Sequence, residues 1–416
     1  MAPRTPTSAS STPRAALSRH REERILLAAV LTLLSLGMVM VYSATSADAI
    51  LDGTSSTAII TKQIVFAGIG FLSFAVVMRM RPTAFTRIAP LAMGAAIVML
   101  AAVMILPPPI VPTINGAERW LIVGGFQLQP SEVAKLALIL WIAGFLARDP
   151  GRLRRPGGLR PILIMTALLA ALIVKEPDLG TASLIVAIAL AMVFVAGVPV
   201  RKIGLVVGSF ALLALIMIAV SPYQQKRVHS FLDPWSAPTG DAYQNVQAQI
   251  AIGSGGVFGR GLGNSIQKMK YLPEAHTDMI GAIIGEELGL IGMAILIVCF
   301  VAIGAMGFRI AMRARSPSSR LIAVGITTMI CLQAAVNLAQ VMGLFPITGV
   351  PLPLVSAGGT NLIICLTAIG LLMNISRQGD HAARPARRST GSGGDRGGRD
   401  GRAREAGARG RGRIAS

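Results

Sequence analysis

The chain has 416 residues, of which 53% are hydrophobic, 14% charged and 5% aromatic, and its mean hydropathy is +0.64. A soluble globular protein carries about 25% charged residues, so a water-soluble enzyme is excluded, and the scarcity of aromatics argues against a girdled outer-membrane barrel. The net charge of +20 would suggest nucleic acid on a soluble protein, but it sits in short connections and a terminal tail, so no nucleic-acid partner is expected.

Residues 1–24, rich in Ser, Thr, Pro and Arg, cannot bury a core and are expected to be disordered. Ten apolar runs follow, at 25–44, 64–80, 87–106, 131–148, 160–175, 181–199, 203–221, 279–308, 321–344 and 357–376. A bilayer crossing takes about 17 to 25 apolar residues, so the runs predict an all-α polytopic membrane domain over 25–376. The first run exceeds the roughly 7 to 15 residues of a signal-peptide core and reads as a retained anchor.

Lys and Arg number nineteen in the N-terminus and the connections on its side, against eight in the longer connections opposite. That bias places both termini in the cytoplasm and the protein in the plasma (inner) membrane. The large loop at 222–278 is then extracytoplasmic. Residues 377–416 hold eleven Arg and four acids among many glycines, a composition expected to give a disordered cytoplasmic tail. Cys299, Cys331 and Cys365 all lie inside apolar runs, where they serve packing rather than a disulfide framework or a metal.

An ionisable group at membrane depth is costly without a partner, so such groups mark candidate sites. Glu132 and Lys135 open the fourth run behind Pro130; three apart, they share a helix face and could form a structural ion pair or an outer-leaflet site for a polar ligand. Lys175 and Asp178 flank a Pro-Gly hinge between two runs, as hinge residues or as ligand contacts. The end of the large loop gathers Lys268, Lys270, Glu274, His276 and Asp278. Asp278 could cap the helix that follows, yet a cap needs no neighbouring cations, acid and imidazole. Glu286 and Glu287 lie roughly 12 Å deeper at 1.5 Å per residue, which implies a water-filled cavity or partners. Gln333, Asn337 and Gln340 share one face of the ninth run, as interhelical glue or as ligand contacts. Ser356, Gly358 and Gly359 enter the last run, where exposed N–H groups could hold a phosphate and where a tight turn is the plainer reading. The glycine-dense stretch Gly253 to Gly263 lacks Gly-Lys-Ser/Thr and a strand–helix context, so it is no nucleotide loop. Close backbone packing is its expected role, with Arg260 a candidate anion contact.

These features describe acids, cations and amides converging on a polar site at the outer lipid border. An enzyme acting on a lipid-linked anionic substrate fits them, and so does a transporter or flippase of such a substrate. A transporter site belongs near mid-membrane between inverted repeats, and the richest cluster here lies at the border.

Five stretches carry a resemblance: Phe231-Leu-Asp-Pro-Trp235, Ala251 to Asn264, Tyr271-Leu-Pro-Glu-Ala-His-Thr-Asp278, Ile284-Gly-Glu-Glu-Leu-Gly289 and Pro346-Ile-Thr-Gly-Val-Pro-Leu-Pro353. With Met40-Val-Tyr-Ser43 and Asn115-Gly-Ala-Glu-Arg-Trp120 they are similar to the SEDS (shape, elongation, division and sporulation) family, closer to its division branch than to its elongation branch. The resemblance spans nearly all ten runs. It implies a peptidoglycan glycosyltransferase that polymerises lipid II at the outer face of the membrane. A class B penicillin-binding protein and other divisome proteins are the implied partners, and the septum the implied location. The family's loop aspartate falls on Asp278, which would act as general base. Lys268, Lys270, Lys135, Arg260 and Arg119 are candidates to meet the leaving diphosphate. No motif requires a cofactor or metal, although Mg2+ or Mn2+ could share that charge. The lipid II flippase remains the alternative. The chain departs from the family's usual residues at Glu176, Met279, Gly281 and Ala357, changes that would reshape the pocket wall.

Overall fold

The computed structural model describes residues 13–52, 57–114, 117–149, 151–236, 238–240 and 242–381. The disorder expected of residues 1–12 and of the tail beyond residue 381 concerns positions outside them. The ten apolar runs all become helices. In chain order these are α1 (Pro13–Asp52), α2 (Thr57–Arg79), α3 (Pro82–Ile105), α4 (Pro130–Arg148), α5 (Arg160–Lys175), α6 (Leu179–Val195) and α7 (Val200–Val220), then α8 (Pro222–Leu232) and α9 (Tyr243–Gly255) within the large loop, and finally α10 (Ile280–Arg313), α11 (Pro317–Val341) and α12 (Gly359–His381). Eight are long and apolar enough to cross a membrane. The other two predicted spans, α5 and α6, have 16 and 17 residues and rise only about 24–26 Å at 1.5 Å per residue, short of a hydrocarbon core of about 30 Å.

One expectation needs correcting. The first helix starts at Pro13 rather than near residue 25, so the stretch expected to be disordered is helical from Pro13 onward. The reason is visible in its acids: Glu22 and Glu23 are buried, Glu22 pairing with Arg313 at 2.8 Å and Glu23 with Arg377 at 3.6 Å. The all-α expectation holds, the strands being few and short. After Pro107, Pro108 and Pro109, two small antiparallel hairpins form, β1 (Thr113–Ile114) with β2 (Ala117–Glu118) and β3 (Leu121–Val123) with β4 (Phe126–Leu128). Val103, Val111 and Leu121 make a small satellite core beneath them.

One main core joins α4, α6, α10, α11 and α12, and α1, α2, α3 and α5 add buried faces to it. Helix α12 lies along α2, where Gly70 meets Leu366 and Gly370 meets the Phe74 backbone. Small residues there let the two backbones approach, as membrane helices require when apolar burial gives no drive against lipid. Helix α7 contributes no buried residue. At the end of the bundle holding the termini, Asn374 donates to the carbonyls of Val77, Met78 and Met80 at 2.8–3.1 Å. This ties the α2–α3 turn to α12. The opposite end carries α8, α9, the hairpins and the candidate site.

Candidate active site

Asp278 lies just ahead of α10, and it does not cap that helix. The N-cap is Met279, which offers no side-chain acceptor. The Asp278 carboxyl is buried, with Thr277 Oγ1 as a distant donor at 3.4 Å; that hydroxyl is held instead by Glu274 Oε2 at 2.6 Å. Burial, reinforced by the Glu274 charge, pushes the Asp278 carboxyl up to about 7, while its own backbone N–H, the Thr277 hydroxyl and the Arg227 charge pull the other way. The chain leading to it is bent: Lys270 and Glu274 both adopt left-handed backbone, at φ 62° and 56°. Such conformations persist in non-glycine residues where surrounding structure holds them.

The hold comes from α11. Asn337 Nδ2 donates to the Asp278 carbonyl and to the Val350 carbonyl, each at 2.8 Å. Gln340 Nε2 reaches the Asp278 carbonyl at 3.4 Å, and its Oε1 accepts from the Thr348 N–H and hydroxyl at 3.0 and 2.7 Å. Gln333 Nε2 donates to the Pro351 carbonyl at 3.0 Å. The three predicted amides therefore do share a face, and they stitch the loop before α10 to the 348–351 segment. From the other side the Ala357 N–H donates to the His276 carbonyl at 2.9 Å.

Glu132 and Lys135 pair at 2.8 Å, both about 1% exposed. Lys135 Nζ also donates to Gln333 Oε1 at 2.6 Å, and Asn361 Nδ2 to Glu132 Oε2 at 2.8 Å. The pair is thus a buried junction of α4, α11 and α12.

Glu286 and Glu287 are buried and met by hydrogen-bond partners. The turn after α9 folds onto them. Glu286 accepts from the N–H of Ile266 at 3.0 Å, the N–H of Gln267 at 3.3 Å and the Ser265 hydroxyl. Glu287 accepts from Ser43 Oγ of α1, the Gly263 N–H and Lys268 Nζ. Lys268, 5% exposed, is consumed by this pairing and by the Gly263 carbonyl. Arg260, at 3.7 Å from Glu286, is partly exposed beside it. The glycine-dense stretch packs closely as expected. It runs against α10 with Arg260 N–H on the Glu286 carbonyl and Gly261 N–H on the Glu287 carbonyl, and α10 breaks there at Gly289, φ 65°.

At the α5–α6 hinge Asp178 caps α6 by accepting from the Thr181 N–H at 2.9 Å. Arg119 donates to the carbonyls of Glu176 and Pro177 at 2.8 and 2.6 Å, and Lys175 is exposed. Ser356 Oγ accepts from the Leu352 N–H at 2.8 Å, Gly358 accepts from the Leu362 N–H through its carbonyl, and Gly359 lies against the Phe66 ring. The start of α12 is a packed turn rather than an open anion cradle.

Two residues at this end escaped the sequence reading. Arg227 of α8, half-buried, donates from Nη1 to the Ile347 carbonyl at 2.9 Å; in sequence it is one loop cation among several. Glu176 is buried with neither carboxyl oxygen hydrogen-bonded. Burial first, then the Asp178 charge, push it up to about 8 against the opposing pull of Arg119. Its departure from the family's usual residue was the signal available. Among the described residues no group of three or more His, Cys, Asp or Glu could hold a metal ion.

A curated relative from Trichlorobacter lovleyi, named "Probable peptidoglycan glycosyltransferase FtsW", is 40% identical over 356 residues, 85% of this chain and 92% of that protein. The Stage V sporulation protein E of Bacillus subtilis is 38% identical over 85% of this chain and 96% of its own. In three dimensions the chain matches the rod shape determining protein RodA of Thermus thermophilus with a TM-score of 0.63 at 28% identity, covering 85% of this chain and 96% of that one. A chain of the structure described as "Structural coordination of polymerization and crosslinking by a peptidoglycan synthase complex" matches with a TM-score of 0.68 at 29% identity, over 86% and 98%. The family model for FtsW, RodA and SpoVE, described as "Cell cycle protein", spans residues 24–381. That span runs from within α1, just past Glu22 and Glu23, to the end of α12, and the chain belongs to this family of cell cycle proteins.

Proposed function

We infer that the chain is a peptidoglycan glycosyltransferase of the membrane, polymerising lipid II at its outer face in septal wall synthesis. The observation that carries the reading is Asp278. It is a buried carboxyl raised to about 7, braced through its backbone by two amides and poorly supplied with side-chain donors. A group poised near neutral pH is what a general base requires. The names of the relatives supply the reaction class.

In the proposed step, Asp278 takes the proton of the acceptor's GlcNAc 4-hydroxyl. The hydroxyl oxygen forms a bond to C1 of the donor sugar. The bond from C1 to the diphosphate breaks, its electron pair leaving with undecaprenyl diphosphate, and the anomeric centre inverts in this single displacement. Mg2+ or Mn2+ bound to the substrate's own phosphates could share the charge. A class B penicillin-binding protein and other divisome proteins are the proposed partners, with both termini cytoplasmic.

The test is polymer formation from labelled lipid II by the protein with its cognate transpeptidase, the transpeptidase site blocked. Long strands from wild type and none from Asp278→Asn support the reading. Equal polymer from both removes Asp278 from the chemistry. No polymer from either intact complex, with lipid II crossing a vesicle bilayer, replaces it with the flippase.

A further inference from the structure

The displacement above leaves negative charge on the diphosphate oxygen, and that charge needs a cation at the moment the C1–O bond breaks. Five cations were expected for this task, and the structure commits four elsewhere. Lys268 is buried against Glu287, Ser43 and the Gly263 carbonyl. Lys135 is buried between Glu132 and Gln333. Arg119 is spent on the hinge carbonyls of Glu176 and Pro177, and Arg260 stands beside Glu286. The fifth, Lys270, is exposed on the left-handed turn eight residues ahead of Asp278.

A different cation is brought to Asp278. Arg227 sits in α8, a short helix standing over the loop end, with Nη1 anchored on the Ile347 carbonyl at 2.9 Å. The next residue, Thr348, is bonded through N–H and hydroxyl to Gln340, whose Nε2 turns to the Asp278 carbonyl. Arg227 and Asp278 are therefore indexed to the same three-residue framework of Gln340, Ile347 and Thr348. Among the described residues Arg227 is the cation whose charge acts on the Asp278 carboxyl. Its guanidinium is half-buried rather than solvated, and a planar fork of donors suits phosphate oxygens better than a point charge does.

We propose that Arg227 is the catalytic cation that meets the diphosphate of the lipid-linked donor and receives the charge released when the C1–O bond breaks. Anchored by Ile347 through Nη1, the guanidinium is held on the same framework that carries Asp278. One residue takes the proton while its neighbour takes the departing charge, so no net charge accumulates in a half-buried site. The proposal rests on the glycosyl-transfer reading of Asp278.

The experiment uses the full chain with its partner transpeptidase and compares wild type, Arg227→Gln, Arg227→Lys and Asp278→Asn. Three quantities are read: kcat and KM for lipid II, inhibition by inorganic pyrophosphate, and the pH–rate profile. Arg227→Gln is expected to lower kcat/KM by roughly tenfold or more and to weaken pyrophosphate inhibition similarly, the size of a lost charge-assisted hydrogen bond. Its acid limb should also move to higher pH, because the Arg227 charge holds the Asp278 carboxyl down. Arg227→Lys should retain part of each. Wild-type kinetics and pyrophosphate sensitivity in Arg227→Gln, beside an inactive Asp278→Asn, would overturn the proposal alone. Equal loss in Gln and Lys variants, with an unmoved acid limb and a lowered unfolding temperature, would overturn it too, assigning Arg227 to support of the Ile347 carbonyl. Equal polymer from wild type and Asp278→Asn would mark failure of the underlying reading instead.

Discussion

Two acidic centres flank the first turns of α10, and the protein treats them in opposite ways. Glu286 and Glu287 are saturated: backbone N–H groups, two serine hydroxyls and Lys268 surround them. Asp278 is buried too, yet its carboxyl has Thr277 as its side-chain donor, at 3.4 Å. The same residue chemistry is thus a fastener in one place and a reactive group in the other. Donor supply separates them, since hydrogen bonding to the charged form stabilises it and burial without such bonds does the reverse.

Breaking the fastener should give the largest effect. Glu287→Ala leaves Lys268 buried without its carboxylate, and removing one partner of a buried pair costs about 3–5 kcal/mol; the unfolding temperature in detergent should drop steeply. Asp278→Asn should act on rate instead, without lowering that temperature while reducing polymerisation by about 10²- to 10⁴-fold, the usual contribution of a placed base. Asn337→Ala removes the donor of the Val350 carbonyl and leaves that of Asp278 on the longer Gln340 contact, at about 1–3 kcal/mol for a buried group left unpaired; it should lower both rate and stability. A base with its pKa near 7 should make the rate climb about 10-fold between pH 6 and 8. Raised carboxyls also make the folded state hold more protons than the unfolded one. Stability should therefore fall as pH rises from the ordinary carboxylate range through about 7 for Asp278 and about 8 for Glu176. Asp278→Asn and Glu176→Gln should each flatten part of that slope in pH-dependent unfolding. The smallest effect belongs to the exposed pair Arg155–Asp149, 2.9 Å apart with Arg155 71% exposed. Arg155→Ala should shift stability by about 1 kcal/mol or less, read in the same unfolding assay.

Hydropathy alone placed all ten helices, because length and apolarity are local properties of the chain. It also ran the sixth span to residue 199, beyond the helix end at Val195, since Ala196 and Val198 are as apolar as the helix before them. The hairpins at 113–128 were not legible: strands of two and three residues show no alternation. In the site, spacing correctly put Gln333, Asn337 and Gln340 on one face and paired Glu132 with Lys135. Periodicity says which face a residue occupies but not what that face meets. Ser43 and Glu287, 244 positions apart, are joined by tertiary packing that no local pattern encodes. For the same reason Lys268 looked like a ligand cation, and Arg227 looked like surface charge.

The seam between the glycine-dense stretch and α10 also governs which changes the gene can tolerate. A methyl group at Gly255 would run into the Gly285 carbonyl oxygen, and one at Gly259 into that of Glu287. Gly253, two residues earlier, faces open space. A saturation library read out by growth should therefore be blank at Gly255 and Gly259 and populated at Gly253. Drift in this segment is concentrated at Gly253: its glycines look interchangeable in sequence, but backbone contact fixes Gly255 and Gly259, and left-handed backbone holds Gly256, Gly261 and Gly263.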